Sequence, residues 1–204
     1  MNLTQNDTLL APTEELVRAA CDEFDQDPDN LIIERSLAEL FTRYPANSDH
    51  AQVFLKVVTL NTLYSTWMPL YSSTRPDLRD MAQHIHENAE QIDAALAAGS
   101  PEIVDTIASP KVPGKRDYYY FSFASKYCSW HRPESYPIYD SNVDRYISCL
   151  KNEALFREFF NTGENHWRYS EFRRLISILR ERHSLNSCSF KQFDKFLYLH
   201  GGRL

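Results

Sequence analysis

Apolar side chains recur at a spacing of three and four residues through most of the chain, the period of a helix with one buried face. Thr13 stands as an N-cap before Glu14 to Phe24, whose first turn holds two acids, where the helix dipole favours them. The next periodic stretch, Leu31 to Phe41, is expected to set Leu31, Ile32, Leu37, Leu40 and Phe41 on one face. Asp49 to Leu63 is the most apolar segment, with Val53, Phe54, Val57, Val58 and Leu60 close together, and predicts a central core helix.

Two short helices are expected over Leu78–Asn88 and Ile92–Ala98, the second closed by Gly99. Pro101 suits the first turn of another helix, ending near Pro110. Lys111 to Arg116 is a basic loop, and an aromatic helix follows over Tyr118–Trp130. Ser141 to Lys151, Glu171 to Arg182 behind Ser170, and Phe190 to His200 behind Ser189 complete the set. Tyr118-Tyr-Tyr-Phe121 alone hints at a strand, and its run into Phe123 and Ala124 favours helix. The pattern predicts an all-α protein of roughly nine to eleven helices, a single domain, compact or in two lobes.

Composition narrows the chemistry. A length of 204 residues, 43% hydrophobic and 25% charged, suits one soluble core and is short for two large ones. With 5 glycines and neither GxGxxG nor GxxxxGK[ST], a glycine-rich phosphate cradle is absent. Cys21, Cys128, Cys149 and Cys188 are scattered without a CxxC, so reduced thiols in a cytoplasm are expected, with no metal or other cofactor. The start, Met1 to Asp7, carries no basic segment ahead of an apolar one, so no signal peptide is expected. No apolar run reaches the ~18 residues of a membrane span, so no membrane partner is expected.

The net charge of −6 conceals a division: residues 1–110 carry 6 basic against 18 acidic side chains, residues 111–204 carry 16 against 10. The basic half holds the aromatic run, which suits nucleic acid better than the acidic total does, although composition can also drift along a helical chain without meaning.

That run contains one lysine, Lys126, whose sequence neighbours Ala124, Ser125, Cys128 and Ser129 offer no acid. An amine held among apolar walls loses its proton more easily and becomes nucleophilic, whereas one that snorkels to solvent or to phosphate does not. Pro133 and Pro137 interrupt the chain before Asp140, which opens the next helix. Capping accounts for an aspartate there without any chemistry.

Phe123-Ala-Ser-Lys126 followed by Pro133 and Tyr136-Pro-Ile-Tyr-Asp140-Ser-Asn-Val143 resembles the core of the helix-hairpin-helix DNA glycosylase superfamily, most nearly its divergent bacterial proteins of the 8-oxoguanine glycosylase fold. Leu60 to Thr66 and Phe193 to Tyr198 resemble further segments of those proteins, so the likeness runs over residues 50–200. It implies excision of a damaged or modified base from DNA, in repair or against phage DNA, with Asp140 and Lys126 as the catalytic pair. Lys126 would serve as nucleophile in a lyase branch, and water in its place. The hairpin departs from the superfamily: Val112-Pro-Gly-Lys-Arg116 lacks the second glycine, and Lys115 competes with Lys126 for the family lysine.

Further expectations attach to individual residues. Lys111, Lys115, Arg116 and Arg145, with Arg173 and Arg174, are candidates for phosphate, or ordinary solvated charges. Asn61 is a candidate at the base-pair step. Trp130, His131 and Tyr139 are candidates for the extruded base, within nine aromatics from Tyr118 to Tyr139 that can stack on it or simply fill the core; His131 can equally contact phosphate or cap the end of its helix. His84 and His86 fall on different helix faces and make a poor metal pair. DNA is the expected partner of a monomer; a non-catalytic DNA- or protein-binding member of the same fold, or a helical module unrelated to nucleic acid, is the alternative.

Overall fold

A computed structural model describes residues 10–153, 155–160 and 168–204; the N-terminal stretch considered above for a leader lies outside them. Among the described residues the chain forms eleven α-helices and one 3-10 turn, with no strand. They are α1 (Glu14–Gln26), α2 (Pro28–Arg43), α3 (His50–Tyr64), α4 (Leu78–Glu87), α5 (Ala89–Ala98) and α6 (Glu102–Ala108). After a loop come α7 (Phe121–His131), α8 (Ser141–Ser148), the 3-10 turn (Cys149–Asn152), α9 (Arg157–Phe160), α10 (Tyr169–Arg182) and α11 (Phe190–Gly202).

The buried apolar side chains form one connected cluster that runs from Val17 of α1 to Leu197 of α11. Each large one taken out of water contributes ~1.5–3 kcal/mol, offset by the ordering of the chain. Caps set many of the boundaries. Thr13 accepts from the Leu16 amide at 3.2 Å, Asp49 from Gln52 at 3.0 Å and Ser189 from Gln192 at 3.2 Å. Gly99 ends α5 in the left-handed region at φ 67°, where a side chain would be strained.

Three elements differ from expectation. In α2 it is Ile33 that packs against the core, while Ile32 is 65% exposed and Leu31 41%. The inward stripe runs through Ile33, Leu37, Leu40 and Phe41, one step along from the expected face. The aromatic helix begins at Phe121, because the two tyrosines directly before it are held elsewhere. Tyr120 N donates to Ala108 O at 2.8 Å, its hydroxyl donates to Pro76 O, and Tyr119 donates to Asp105. Finally, α10 starts at Tyr169, ahead of Ser170. The Asp105 carboxylate of α6 accepts from the Tyr169 amide at 3.1 Å, so the helix end is satisfied by a residue distant in sequence.

The charge division acts inside the fold. On α11, Lys191 pairs with Glu34 at 2.5 Å, Lys195 with Asp25 at 2.5 Å, and Arg203, just beyond it, with Glu23. Basic side chains of the C-terminal half thus meet acids of α1 and α2. Three of the 16 basic side chains of that half are engaged there, in the packing of the chain's two ends.

Candidate amine–carboxylate site

The segment from Tyr136 to Asp140 runs extended between α7 and α8, and buried polar groups hold it. Ser125 Oγ accepts from Tyr139 N at 3.0 Å, tying α7 to the residue before Asp140. Asp194 Oδ2 on α11 accepts from Ile138 N at 3.0 Å, and Tyr169 donates to Pro137 O at 2.7 Å. Tyr136 reaches Ser100 O at 3.1 Å. With the prolines stiffening the turn, these bonds fix where α8 begins.

Asp140 then divides its two oxygens. Oδ1 accepts from the amides of Asn142 at 3.0 Å and Val143 at 2.9 Å, capping α8. Oδ2 lies 4.0 Å from Lys126 Nζ. Lys126 is 3% exposed; its ammonium donates to Ser122 Oγ at 2.7 Å and sits 5.3 Å from the centre of the Tyr64 ring. Burial pushes its pKa below the ordinary amine value, and the charges of Asp140 and then Asp194 pull partly against that.

Both residues line a cavity of about 570 Å³, together with Asp194. Asp194 is a functional candidate that sequence reasoning did not single out. It is 6% exposed, and its Oδ1 is buried without a hydrogen-bond partner. Burial raises its pKa well above the ordinary carboxyl value, against the opposing Ile138 amide and the positive charge of Lys191. A carboxyl so placed keeps its proton to higher pH than a solvated one, and in that form can donate as well as accept. One signal was available: an acid on the apolar face of a helix, between Phe193 and Leu197.

The rings on the cavity wall are Phe24, Tyr64, Trp67 and Tyr198. None of the nine aromatics from Tyr118 to Tyr139 lines it, Trp130 and Tyr139 included, so of the two readings of that run the stacking one finds no ring on this wall. Tyr139 packs its ring against Phe121 and Phe172 and donates to Asp144 at 2.8 Å. Trp130 lies beneath Lys191, whose Nζ is 4.1 Å from its ring centre.

Most of the other expected residues sit away from the pair. His131 is half-buried against the Phe41 and Tyr127 rings beside Lys56, 3.3 Å from its Nζ, and burial with that neighbouring charge lowers its pKa to about 3. Lys115 is bound by Asp77 at 3.0 Å and by Asp80, and does not line the cavity. Those bonds raise its pKa against the effect of burial and remove it as rival to Lys126 for this pair. Arg145 donates to Gly201 O at 3.0 Å and to Asn142, so it closes α11 against α8. Arg173 donates to Gly99 O at 2.6 Å, and the Arg174 guanidinium lies over the Phe159 ring. Lys111 pairs with Asp117 on the surface at 2.8 Å, and Arg116 is exposed beside it.

Asn61 borders the cavity by clamping its lip. Its side chain accepts from Met68 N at 3.0 Å and Thr66 Oγ1 at 2.7 Å and donates to Met68 O at 3.2 Å. His84 bonds Thr106 O at 2.9 Å while His86 stacks on His50, and no three groups that could hold a metal converge among the described residues. No described helix is long and apolar enough to cross a membrane.

Fold and site define a compact all-helical protein with a buried amine beside a helix-capping carboxylate. The chain belongs to the family HI_0787_N: the family model, described as an N-terminal domain, matches residues 16–135, more than half of the chain. That match takes in Lys126, Tyr64 and Trp67 and stops before Asp140, so the pair is drawn from both sides of its end. An "Uncharacterized protein" of Haemophilus influenzae is 31% identical over 132 residues, 65% of this chain and 61% of that protein. The chain thus matches less than two thirds of that relative's length. No solved structure matches the chain.

Proposed function

We propose that the protein is a DNA glycosylase that extrudes a damaged or modified base and cleaves its N-glycosidic bond. The observation that carries this reading is the 4.0 Å approach of the desolvated Lys126 amine to the one oxygen of Asp140 that capping leaves free, on the wall of a cavity of about 570 Å³. A cavity of that order accommodates a nucleobase and its sugar.

The chemistry follows from the positions. As the base departs with the bonding electrons, positive charge grows on the sugar, and the Asp140 carboxylate is placed to stabilise it. In one branch the unprotonated Lys126 amine attacks C1′ as the C1′–N bond breaks. The departing base takes up a proton, and ring opening gives an imine between lysine and sugar. In the other branch water takes the amine's place. Asp194, held neutral, offers a hydrogen bond to the edge of the base, and Tyr64 and Tyr198 offer faces on which it stacks. Ser122 positions the amine.

Borohydride trapping on duplex oligonucleotides carrying a panel of oxidised, alkylated and hypermodified bases tests this. A covalent adduct lost in Lys126→Ala supports the lyase branch, and free base without an adduct supports the water branch. Neither product across the panel would contradict the reading.

The ion pairs of Lys191 and Lys195 with acids of α1 and α2 favour a second reading, a non-catalytic binding module, because they remove cationic charge beside the cavity. In that case DNA or a protein partner binds without base release.

A further inference from the structure

The most exposed large hydrophobic side chain in the described structure is Trp67, at 84%, on the wall of the cavity. Its backbone is left-handed, with φ 60°, as is that of Ser65, with φ 48°. A bulky residue in that region is strained, and such a conformation persists only where its surroundings impose it. Here they do so from both sides. Asn61 bonds Thr66 and Met68, the two neighbours of Trp67, and Arg75 donates to the Trp67 carbonyl at 3.2 Å. The fold therefore spends strain and buried polar bonds to hold an indole in water.

Trp67 is not isolated. The guanidinium of Arg75 lies 4.9 Å from the centre of the half-exposed Tyr118 ring, so one arginine joins the tryptophan loop to a second aromatic. Close by in sequence, Tyr71 is 65% exposed, with the Arg79 guanidinium 4.3 Å from its ring centre. Arg116 N donates to Thr74 O at 3.0 Å, which brings the basic loop 111–116 to the same face. Acids nearby are already engaged: Asp77 and Asp80 with Lys115, Asp77 also with Arg79 at 3.4 Å, and Asp117 with Lys111. What faces solvent is aromatic rings interleaved with arginines, reaching the cavity wall at Trp67.

We infer that this surface is a stacking platform for the unpaired bases of single-stranded DNA that flank the nucleotide in the cavity. Rings accept a base of any sequence on their faces, and arginines answer the phosphates between them, the pattern by which single strands are bound without sequence preference. The inference rests on the proposed action on DNA and adds to it the form of strand recognised. A flat apolar patch suited to a protein partner would not need guanidinium groups over the rings of Tyr118 and Tyr71 and a third arginine contact at the Trp67 backbone.

Binding is measured on the full chain with unmodified oligothymidine and with a blunt duplex of equal length, by intrinsic fluorescence and by anisotropy of a labelled strand. The single strand is expected to bind more tightly, with affinity falling steeply as salt rises. Trp67→Ala is expected to weaken it about 10-fold, with Trp67→Phe keeping most of it. Trp67→Gly should bind as poorly as Trp67→Ala while melting no lower than the native chain, because glycine accepts the left-handed backbone. Native affinity in Trp67→Ala would overturn the platform, as would equal affinity for both DNA forms. So would a dimer that Trp67→Ala dissociates while neither DNA form binds. Base excision is scored separately on modified-base substrates in both duplex and single-stranded form: excision without single-strand binding sinks the platform alone, and single-strand binding without excision from either form sinks the glycosylase alone.

Discussion

Gly201, in the last turn of α11, lies against the backbone carbonyl of Asn142, in the first turn of α8, with no room between them for a Cβ. This close approach places the helix start that Asp140 caps. Gly201→Ala is therefore expected to destabilise the protein by about 1–3 kcal/mol, the usual cost of overpacking, and to shift Asp140 relative to Lys126. Thermal melting should show the first effect. Any substrate turnover should fall further at temperatures where the variant is still fully folded.

Asp194 links stability to pH. Its folded pKa lies above the ordinary 3.8, so between the two values the folded chain holds a proton that the unfolded chain has lost. Its contribution is complete below 3.8 and declines as pH rises towards the folded value. Asp194→Asn keeps an oxygen for the Ile138 amide and removes the titration. Melting temperatures from pH 4 upward should show the variant gaining on the native chain as pH rises. A constant difference would contradict the assignment of a buried, protonated carboxyl.

Lys56 carries the opposite slope. It is fully buried, donating to Tyr44 O at 3.2 Å, Ala46 O at 3.1 Å and Asn47 Oδ1 at 2.7 Å, and burial lowers its pKa to about 8 from 10.5. The unfolded chain binds more protons between those values, so this residue's share of stability rises with pH from about 8 to about 10.5. Lys56→Met should abolish that rise. It should also cost more than about 2 kcal/mol at neutral pH, since three acceptors lose their donor. Chemical denaturation at pH 7 and pH 10 measures both.

Lys126 must lose its proton before it attacks. Its pKa is lowered by burial, so the yield of trapped adduct should climb with pH through that depressed value and level off below the pH of an ordinary amine. Lys126→Arg keeps the charge and should trap nothing at any pH.

Much of the fold could be read from the chain because helical period and capping are local. Thr13, Asp49, Ser189 and Gly99 act where the sequence places them. Local rules failed where a distant group took over: Asp105 displaced Ser170 as the cap of α10, and contacts to Ala108, Pro76 and Asp105 kept Tyr119 and Tyr120 out of α7. The Lys126–Asp140 pair was legible because a helix, two prolines and a cap fix both ends of a short connection. The cavity wall was not. Phe24, Tyr64, Trp67, Asp194 and Tyr198 converge from three parts of the chain, while most of the conspicuous aromatic run packs in the core and Tyr118 faces solvent.

The central claim is that Asp140 does chemistry beyond capping, and Asp140→Asn separates the two roles. Asparagine caps a helix as well as aspartate does, so α8 and the melting temperature should be almost unchanged. The carboxylate that stabilises charge on the sugar is gone. Base release from a substrate oligonucleotide should therefore fall at least about 100-fold while DNA binding persists, in keeping with the loss of one electrostatic catalytic group. Undiminished release by a folded Asp140→Asn protein would contradict the account.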